Sequence, residues 1–290
     1  MYVLKQSICY PGYGSRANED AIGYGRNYCF VMDGASCLSG KNVVDPISDA
    51  AWMAGKVRDG LCALLDADDP RSTAELLRQV MSQVRQVYLR ALREQGVDMP
   101  EDTPSAGFAL FRVRNGMLEF FGLGDCVGTA KLSDGTNFWS LDQNLPALDQ
   151  QVLDRMHALH KQTGITMQEA KKSCTDLLLH NRNLRNKPGG YWILDLLSDD
   201  GIENATQMSW ALTSPICVGV FSDGFAQLTD VFGKYEDYTD LFEAMQKNDL
   251  EDMFDCLCAL QDADADCTNH PRFKRRDDTC ALWGIFTADE

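Results

Sequence analysis

Basic residues are scarce in this chain. Its 290 residues carry 27 Lys and Arg against 43 Asp and Glu, a net charge of −16 at pH 7. Broad binding to nucleic acid or to an anionic membrane runs on Lys and Arg, so neither is expected as a partner. Histidine is rarer still, at four in the chain. His157 and His160 share a helix face but have no further ligand beside them, and zinc needs more. No apolar run approaches the ~18 residues that span a bilayer. Met1 to Gly12 lacks the charged segment and apolar core of a secretion signal. Repeats and low-complexity blocks are absent. The 11 cysteines fall at irregular spacings, and without an export signal they are expected as reduced thiols of a cytoplasmic protein. None has an arginine six residues later, so the thiolate–arginine cradle of a cysteine phosphatase is missing.

What is present is ordinary for a soluble globular protein: 44% hydrophobic and 24% charged residues. The length suits one large domain or two smaller ones. Apolar runs predict strands over Met1–Tyr10, Ala21–Tyr24 and Tyr28–Met32. Helical spacing of Ile47, Ala50, Ala54, Val57, Leu61 and Leu64 predicts a helix over 46–66. Ser72 and Glu75 form a capping box that opens a second helix, with Gly96 as its stop. Asn115-Gly116 predicts a type I′ hairpin between Gly107–Val113 and Met117–Leu123. Asp134-Gly135 predicts another between Cys126–Leu132 and Thr136–Leu141. Residues 145–187 read as two helices, followed by strand-like Tyr191–Leu197. Pro215–Ser222 reads as a buried strand, 237–247 and 249–261 as helices, and Cys280–Phe286 as a last strand. Grouped helices and meandering strands indicate α+β with antiparallel sheets.

The carboxylates sit where this reading places strand ends. Glu19-Asp20 precede one strand, Asp33, Asp125 and Asp223 close three others, and Asp277-Asp278 open the last. Acids gathered at one edge of a sheet repel each other unless a cation neutralises them. Hard divalent ions such as Mg²⁺ and Mn²⁺ take oxygen ligands of this kind. A single Asp-Gly is usually a turn; five acidic strand ends in one chain point to a site.

The ordered motifs resemble those of the metal-dependent protein phosphatase 2C family. Arg16-Ala17-Asn18-Glu19-Asp20 and Phe30-Val31-Met32-Asp33-Gly34 resemble its first two motifs. Ser105-Ala106-Gly107 with Gly122-Leu123-Gly124-Asp125 resemble its central pair, and Val220-Phe221-Ser222-Asp223-Gly224 with Asp277-Asp278-Thr279-Cys280 its last two. The resemblance implies two antiparallel sheets packed face to face with helices on both outer sides, a four-layer α-β-β-α fold. It implies one domain over 1–290 with a helical flap inserted at about 142–212. It also implies a monomeric phosphoserine/phosphothreonine phosphatase with two Mg²⁺ or Mn²⁺ ions and a phosphorylated protein as substrate. Asp33, Asp223 and Asp277 would hold one ion and carry the chemistry through its water. Asp33 and the Gly34 carbonyl, with Glu19 or Asp20, would serve the other, and Arg16 would contact the phosphate.

The chain departs from the family pattern at several positions. The family arginine usually lies one residue further from the acidic pair than Arg16 does. Ala35 stands where many eukaryotic members have a histidine. A third ion would need Asp125 and an aspartate at 227, where this chain has Gln227, so a third site is expected to be weak or absent. These departures keep a non-catalytic, phosphatase-like binding module as the alternative. Residues 151–190 hold seven Lys/Arg against three acids, which suggests a flap that attracts an acidic phosphorylated partner. Asp264-Ala265-Asp266-Cys267-Thr268 matches an aspartyl-nucleophile pattern but follows no apolar strand, and is expected to be a solvated acidic helix end.

Overall fold

The computed structural model describes residues 1–100, 102–140 and 142–288. The elements run β1 (Tyr2–Tyr10), β2 (Asp20–Tyr24), β3 (Tyr28–Ala35), α1 (Asp49–Asp66), α2 (Thr73–Gln95), β4 (Ser105–Arg114), β5 (Met117–Leu123), β6 (Val127–Lys131) and β7 (Asn137–Ser140). Next come α3 (Asn144–Thr163), α4 (Met167–Ser173), α5 (Thr175–Arg182), β8 (Leu194–Asp195), α6 (Asp200–Glu203) and β9 (Thr206–Ala211). The chain closes with β10 (Ile216–Phe221), α7 (Asp223–Asp230), α8 (Tyr238–Lys247), α9 (Leu250–Ala263) and β11 (Thr279–Phe286). One sheet is ordered β1-β11-β10-β6-β7, the other β2-β3-β4-β5-β9, with β8 added beside the start of β4. Every strand pair in both is antiparallel.

The unbroken apolar run Tyr28–Met32 has a simple cause: β3 is covered on both faces. Cys29 and Val31 point between the sheets, where they meet Ala109, Phe111, Phe120, Val218, Val220 and Leu282. Tyr28, Phe30 and Met32 point outward onto α1 and α2 through Val57, Leu61, Leu77 and Val80. The other sheet is covered by α7, α8 and α9, whose Phe225, Leu241, Phe242 and Leu257 pack with Ile8, Val127, Phe221 and Ala281. The result is the expected four-layer α-β-β-α fold. Truncating a fully buried ring such as Phe30 or Phe108 to alanine would cost about 3–5 kcal/mol.

Local signals behave as their chemistry requires. Ser72 and Glu75 form the reciprocal capping box, and Gly96 ends α2 in the left-handed region. Asn115 and Gly116 both have positive φ, as a type I′ turn demands. The second hairpin forms, but not with that turn. Only Gly135 has positive φ there, and its N–H reaches back to the Leu132 carbonyl in a longer loop. Leu141, the expected end of its second strand, lies outside the described residues. The strands of these two hairpins also belong to different sheets: between β5 and β6 the chain crosses at Gly124-Asp125.

Residues 145–187 carry three helices instead of two, because Gly164 ends α3 and a turn at Cys174 separates α4 from α5. Of the strand-like Tyr191–Leu197, Leu194–Asp195 pair with β4 and Tyr191 makes an isolated bridge to Arg185. Three elements go beyond the sequence reading, the first being the short helix α6. The edge strand β9 is mostly exposed, with Trp210 alone packed against the inter-sheet core, and α7 starts directly at Asp223-Gly224. Among the described residues, no helix is long and apolar enough to cross a membrane.

The α3–α5 segment has its own apolar cluster of Val152, Met156, Met167, Ala170 and Cys174, to which Cys267 and Phe273 from the segment before β11 contribute. It is tied to the sandwich by two arginines. Arg182 donates to Ser105 Oγ at 3.2 Å and to the Ser36 carbonyl at 3.1 Å. Arg185 pairs with Asp195 at 2.8 Å and donates to the Thr103 carbonyl. Lys171 lies over the Phe273 ring, 5.2 Å from its centre. Three of the seven positive charges counted above therefore anchor this segment, and the field it offers to solvent is smaller than the sum suggests.

Candidate active site

The site begins with strand register. In the β2–β3 pair Asp20 stands directly opposite Asp33, and in the β3–β4 pair Asp33 stands opposite Gly107. Directly opposed residues project to the same face, so Asp20 and Asp33 are side by side. Gly107 leaves room next to them: a Cβ there would lie 2.9 Å from Asp125 Oδ1. The crossover between the sheets thus delivers Asp125 into the same row. Asp223 follows β10 as the first residue of α7, and Asp277 and Asp278 precede the adjacent β11. Acids far apart in sequence meet at one end of the sandwich.

Their mutual repulsion is visible in their proton affinities. Burial raises the Asp33 carboxyl well above its ordinary value, and the charges of Asp20, Asp223 and Asp125 raise it further. Burial does the same to Asp20, with Asp223, Asp277 and Asp278 adding to it. Asp125 is raised by burial, then by Asp223 and Asp149. Asp223 is raised by burial and by Asp277. Asp20 is the extreme case, only 6% exposed, with neither carboxylate oxygen hydrogen-bonded. The nearby Ser222 hydroxyl, which pulls the Asp20 carboxyl down against this burial, accepts the Cys280 N–H at 3.0 Å and lies 3.5 Å from the Cys280 carbonyl.

The other acids have structural partners. Glu19 Oε1 accepts from the Ser36 hydroxyl and, at 2.5 Å, from the Ser48 hydroxyl at the N-terminus of α1. The sequence left Glu19 and Asp20 as alternatives; it is Asp20 that faces Asp33. Asp278 accepts from the Gly12 N–H at 2.6 Å and the Glu19 N–H at 3.0 Å, and so holds the β1–β2 loop in place. Arg16 is exposed on that loop. Gly34 is required by close approach: its N–H meets the Glu19 carbonyl at 3.1 Å, and a Cβ would come within 2.5 Å of that oxygen. Asp277 Oδ1 accepts from Lys274 Nζ at 2.5 Å and from the Asp278 N–H at 2.8 Å.

A cleft of about 330 Å³ opens beside the acids, between α3, α7 and the segment 269–277. Asp125, Asp223, Asp277 and Lys274 line it, and so does Asp149 from α3. Burial and the charge of Asp223 push the Asp149 carboxyl up to about 7, against the pull of Arg182 and Lys171. Asp149 had no sequence signal, since one aspartate on an amphipathic helix resembles any other. Gln227 lines the cleft too, with its amide oxygen accepting from Gln261 Nε2 at 3.0 Å.

Asp264 is not the solvated helix end expected above. It is 4% exposed and pairs with Arg272 at 2.8 Å. Burial alone would raise its carboxyl, but the N–H groups of Asn269 and His270 and the Arg272 guanidinium hold it down at about 2. Arg272 also donates to the carbonyls of Gln261, His270 and Arg275. This buried knot shapes the segment that brings Lys274 and Asp277 into the cleft.

The donor set suits a hard divalent cation: aspartate oxygens, buried or half-buried, repelling one another, with the two Asp20 oxygens unpartnered. Among the described residues, no group of three or more His, Cys, Asp or Glu side chains is already arranged to hold a metal ion. The fit therefore lies in the chemistry of the donors and not in a finished coordination shell.

No protein-family model and no curated protein sequence matches the chain. Solved structures do. The serine/threonine phosphatase PstP/Ppp of Mycobacterium tuberculosis superposes with a TM-score of 0.56 over 99% of this chain and 100% of that one, at 13% identity. The chain has the phosphatase 2C fold. Stp1 of Staphylococcus aureus, also a serine/threonine phosphatase, gives 0.54 over 99% and 96% at 15% identity. The catalytic domain of the phosphatase PstP, solved in complex with 2 manganese ions, gives 0.53 over all of both chains at 16% identity. At such identities the likeness is one of fold, and the activity must be argued from the site.

Proposed function

We propose that this phosphatase 2C-like protein is a Mg²⁺- or Mn²⁺-dependent hydrolase of phosphoserine and phosphothreonine in proteins. The observation that carries the reading is Asp20: a buried carboxylate without a hydrogen bond, set opposite Asp33 in a row of further acids. A buried charge without a partner is costly, and a bound cation removes the cost. In this reading Asp33, Asp223 and Asp277 hold one ion, and Asp33, the Gly34 carbonyl and Asp20 serve a second, with Glu19 behind them. When bound, such ions acidify a water and offset the charge of the phosphoryl oxygens.

The chain's own residues supply position and charge. The register of β2, β3 and β4 fixes the spacing of Asp20, Asp33 and Asp125. Asp278 holds the loop that carries Arg16, the proposed phosphate contact. The cleft beside the acids receives the phosphorylated residue, and α3 forms its outer wall. Exposed lysines of the α3–α5 segment, such as Lys161, Lys172 and Lys187, favour an acidic substrate protein. The cysteines, all free, suit a cytoplasmic setting. The M. tuberculosis and S. aureus structures, both of serine/threonine phosphatases, support the choice of substrate class.

A second reading, a phosphatase-like binding module without catalysis, is favoured by one contact: the ammonium of Lys274 already occupies an oxygen of Asp277. Hydrolysis of a phosphothreonine peptide with Mn²⁺, with EDTA, and by the Asp33→Ala protein separates the two. Activity that needs Mn²⁺ and Asp33 supports the enzyme. A protein that binds the phosphopeptide and never hydrolyses it is the module.

A further inference from the structure

Four cations precede β11, and three of them face away from the acids. Arg272 is buried against Asp264. Arg275 and Arg276 both pair with Asp262 at the end of α9, and Arg275 also covers the Tyr13 ring at 4.1 Å. Lys274 alone turns into the cluster. Its Nζ is 2.5 Å from Asp277 Oδ1, and the charges of Asp223 and Asp278 also act on it. Its place is not accidental slack in a loop. The Asp264–Arg272 knot fixes the chain on one side, Phe273 is packed into the α3–α5 cluster, and β11 begins five residues after Lys274. Yet the side chain itself stays half exposed, so the ammonium can leave without unfolding anything.

We propose that Lys274 is a tethered counter-ion: it holds the Asp277 corner of the acid cluster, and it sets the divalent-cation concentration at which that corner can be taken over. The inference rests on the metal reading above. An ammonium is a compact point charge on a flexible stem, well suited to stand in for an ion and to withdraw. Asp277 is one of the carboxylates that would hold a cation together with Asp33 and Asp223, so the ammonium competes for its charge. A cation that must first displace a resident charge binds with an affinity reduced by the fraction of molecules in which the corner is free. A lysine remaining nearby also opposes a doubly charged ion. At several ångströms and water-like screening that opposition is worth roughly a factor of ten in affinity. The stem keeps Lys274 at the cleft after displacement, since it lines that cleft together with Asp223 and Asp277.

The test is a Mn²⁺ titration of the metal-stripped full chain, read as the paramagnetic resonance signal of free Mn²⁺, so that it does not depend on activity. Lys274→Arg, Lys274→Met, Lys274→Gln and Lys274→Glu are compared with the parent, each checked for a cooperative thermal melt. The arginine variant is expected to match the parent within about twofold, because the charge is kept. The two neutral variants are expected to bind Mn²⁺ about tenfold more tightly, and Lys274→Glu more tightly again. Having two neutral variants keeps the test decisive if one of them folds poorly. An order that follows charge is something a purely structural lysine would not produce. If the parent binds Mn²⁺ but the neutral variants bind equally or more weakly, the counter-ion role is overturned and the metal reading stands. If neither the parent nor any variant binds Mn²⁺, both are overturned.

Discussion

Replacing Asp20 with asparagine should make the metal-free protein more stable, the reverse of what a substitution at a buried position usually does. Asp20 has no hydrogen bond to lose, is 6% exposed, and faces Asp33 across the β2–β3 pair with Asp223, Asp277 and Asp278 nearby. The asparagine side chain has nearly the same shape, carries no charge, and its amide can donate to the Asp33 carboxylate. Leaving one buried polar group unsatisfied costs about 1–3 kcal/mol, more when it is charged. Relief of that order in Asp20→Asn corresponds to a rise in melting temperature of roughly 2–5 °C for a chain of this size. The melt is followed by circular dichroism in EDTA and again with Mn²⁺. The wild type should gain about 2.7 kcal/mol when Mn²⁺ reaches a hundred times its dissociation constant. The variant, lacking one carboxylate ligand, should gain less, so the gap closes or reverses. An Asp20→Asn protein that melts below the wild type in EDTA would refute the argument. So would a wild type whose melting temperature ignores Mn²⁺.

Three further outcomes follow from the buried knot and the α3–α5 segment. Arg272→Met leaves Asp264 charged at 4% exposure without its cation, held only by Asn269 and the His270 N–H, and should lower stability by about 3 kcal/mol in urea unfolding; a loss under 1 kcal/mol would show that the knot carries little. Asp264 is held down at about 2 in the folded chain, below its unfolded value near 4. Its contribution of roughly 2 kcal/mol is therefore complete above about pH 4 and lost as the pH falls toward 2. Subtracting the stability–pH curve of Asp264→Asn from that of the wild type should isolate this slope, and parallel curves over that window would rule it out. Lys161→Glu combined with Lys172→Glu should lower kcat/KM on acidic phosphopeptides more than on a small phosphate ester, by an amount that shrinks with added salt. Equal losses on both substrates at every ionic strength would end the steering role.

How much of this was legible in the residues depends on the range of the interaction. Short-range chemistry was readable: Ser72 with Glu75, Asn115 with Gly116, and the two-faced apolar run Tyr28–Met32 all formed what their local physics requires. The acids at strand ends were readable for the same reason, because each lies next to its own apolar run and the fold needs only to bring the ends together. Two kinds of information were not there. The first is which neighbour a side chain finds at long range. Asp264 looked solvated because nothing in Asp-Ala-Asp-Cys-Thr signals that Arg272 folds back onto it. Arg182 and Arg185 looked like surface charge because their partners Asp102 and Asp195 lie on other segments. Asp149 could be any helix aspartate until α3 turns it toward Asp223. The second is a strand whose apolar face is hardly covered. The edge strand β9 is exposed on nearly every residue, and apart from Trp210, which packs on Phe138, it is held by backbone pairing to β5, which leaves little trace in hydrophobicity. The choice between Glu19 and Asp20 combines both kinds. Adjacent residues at a strand start point in opposite directions, so a one-residue difference in where β2 begins decides which acid faces Asp33. Pairing begins at Asp20, which leaves Glu19 to the serines of α1 and the preceding loop. The candidate metal ligand and its supporting neighbour are thus told apart by the sheet register alone.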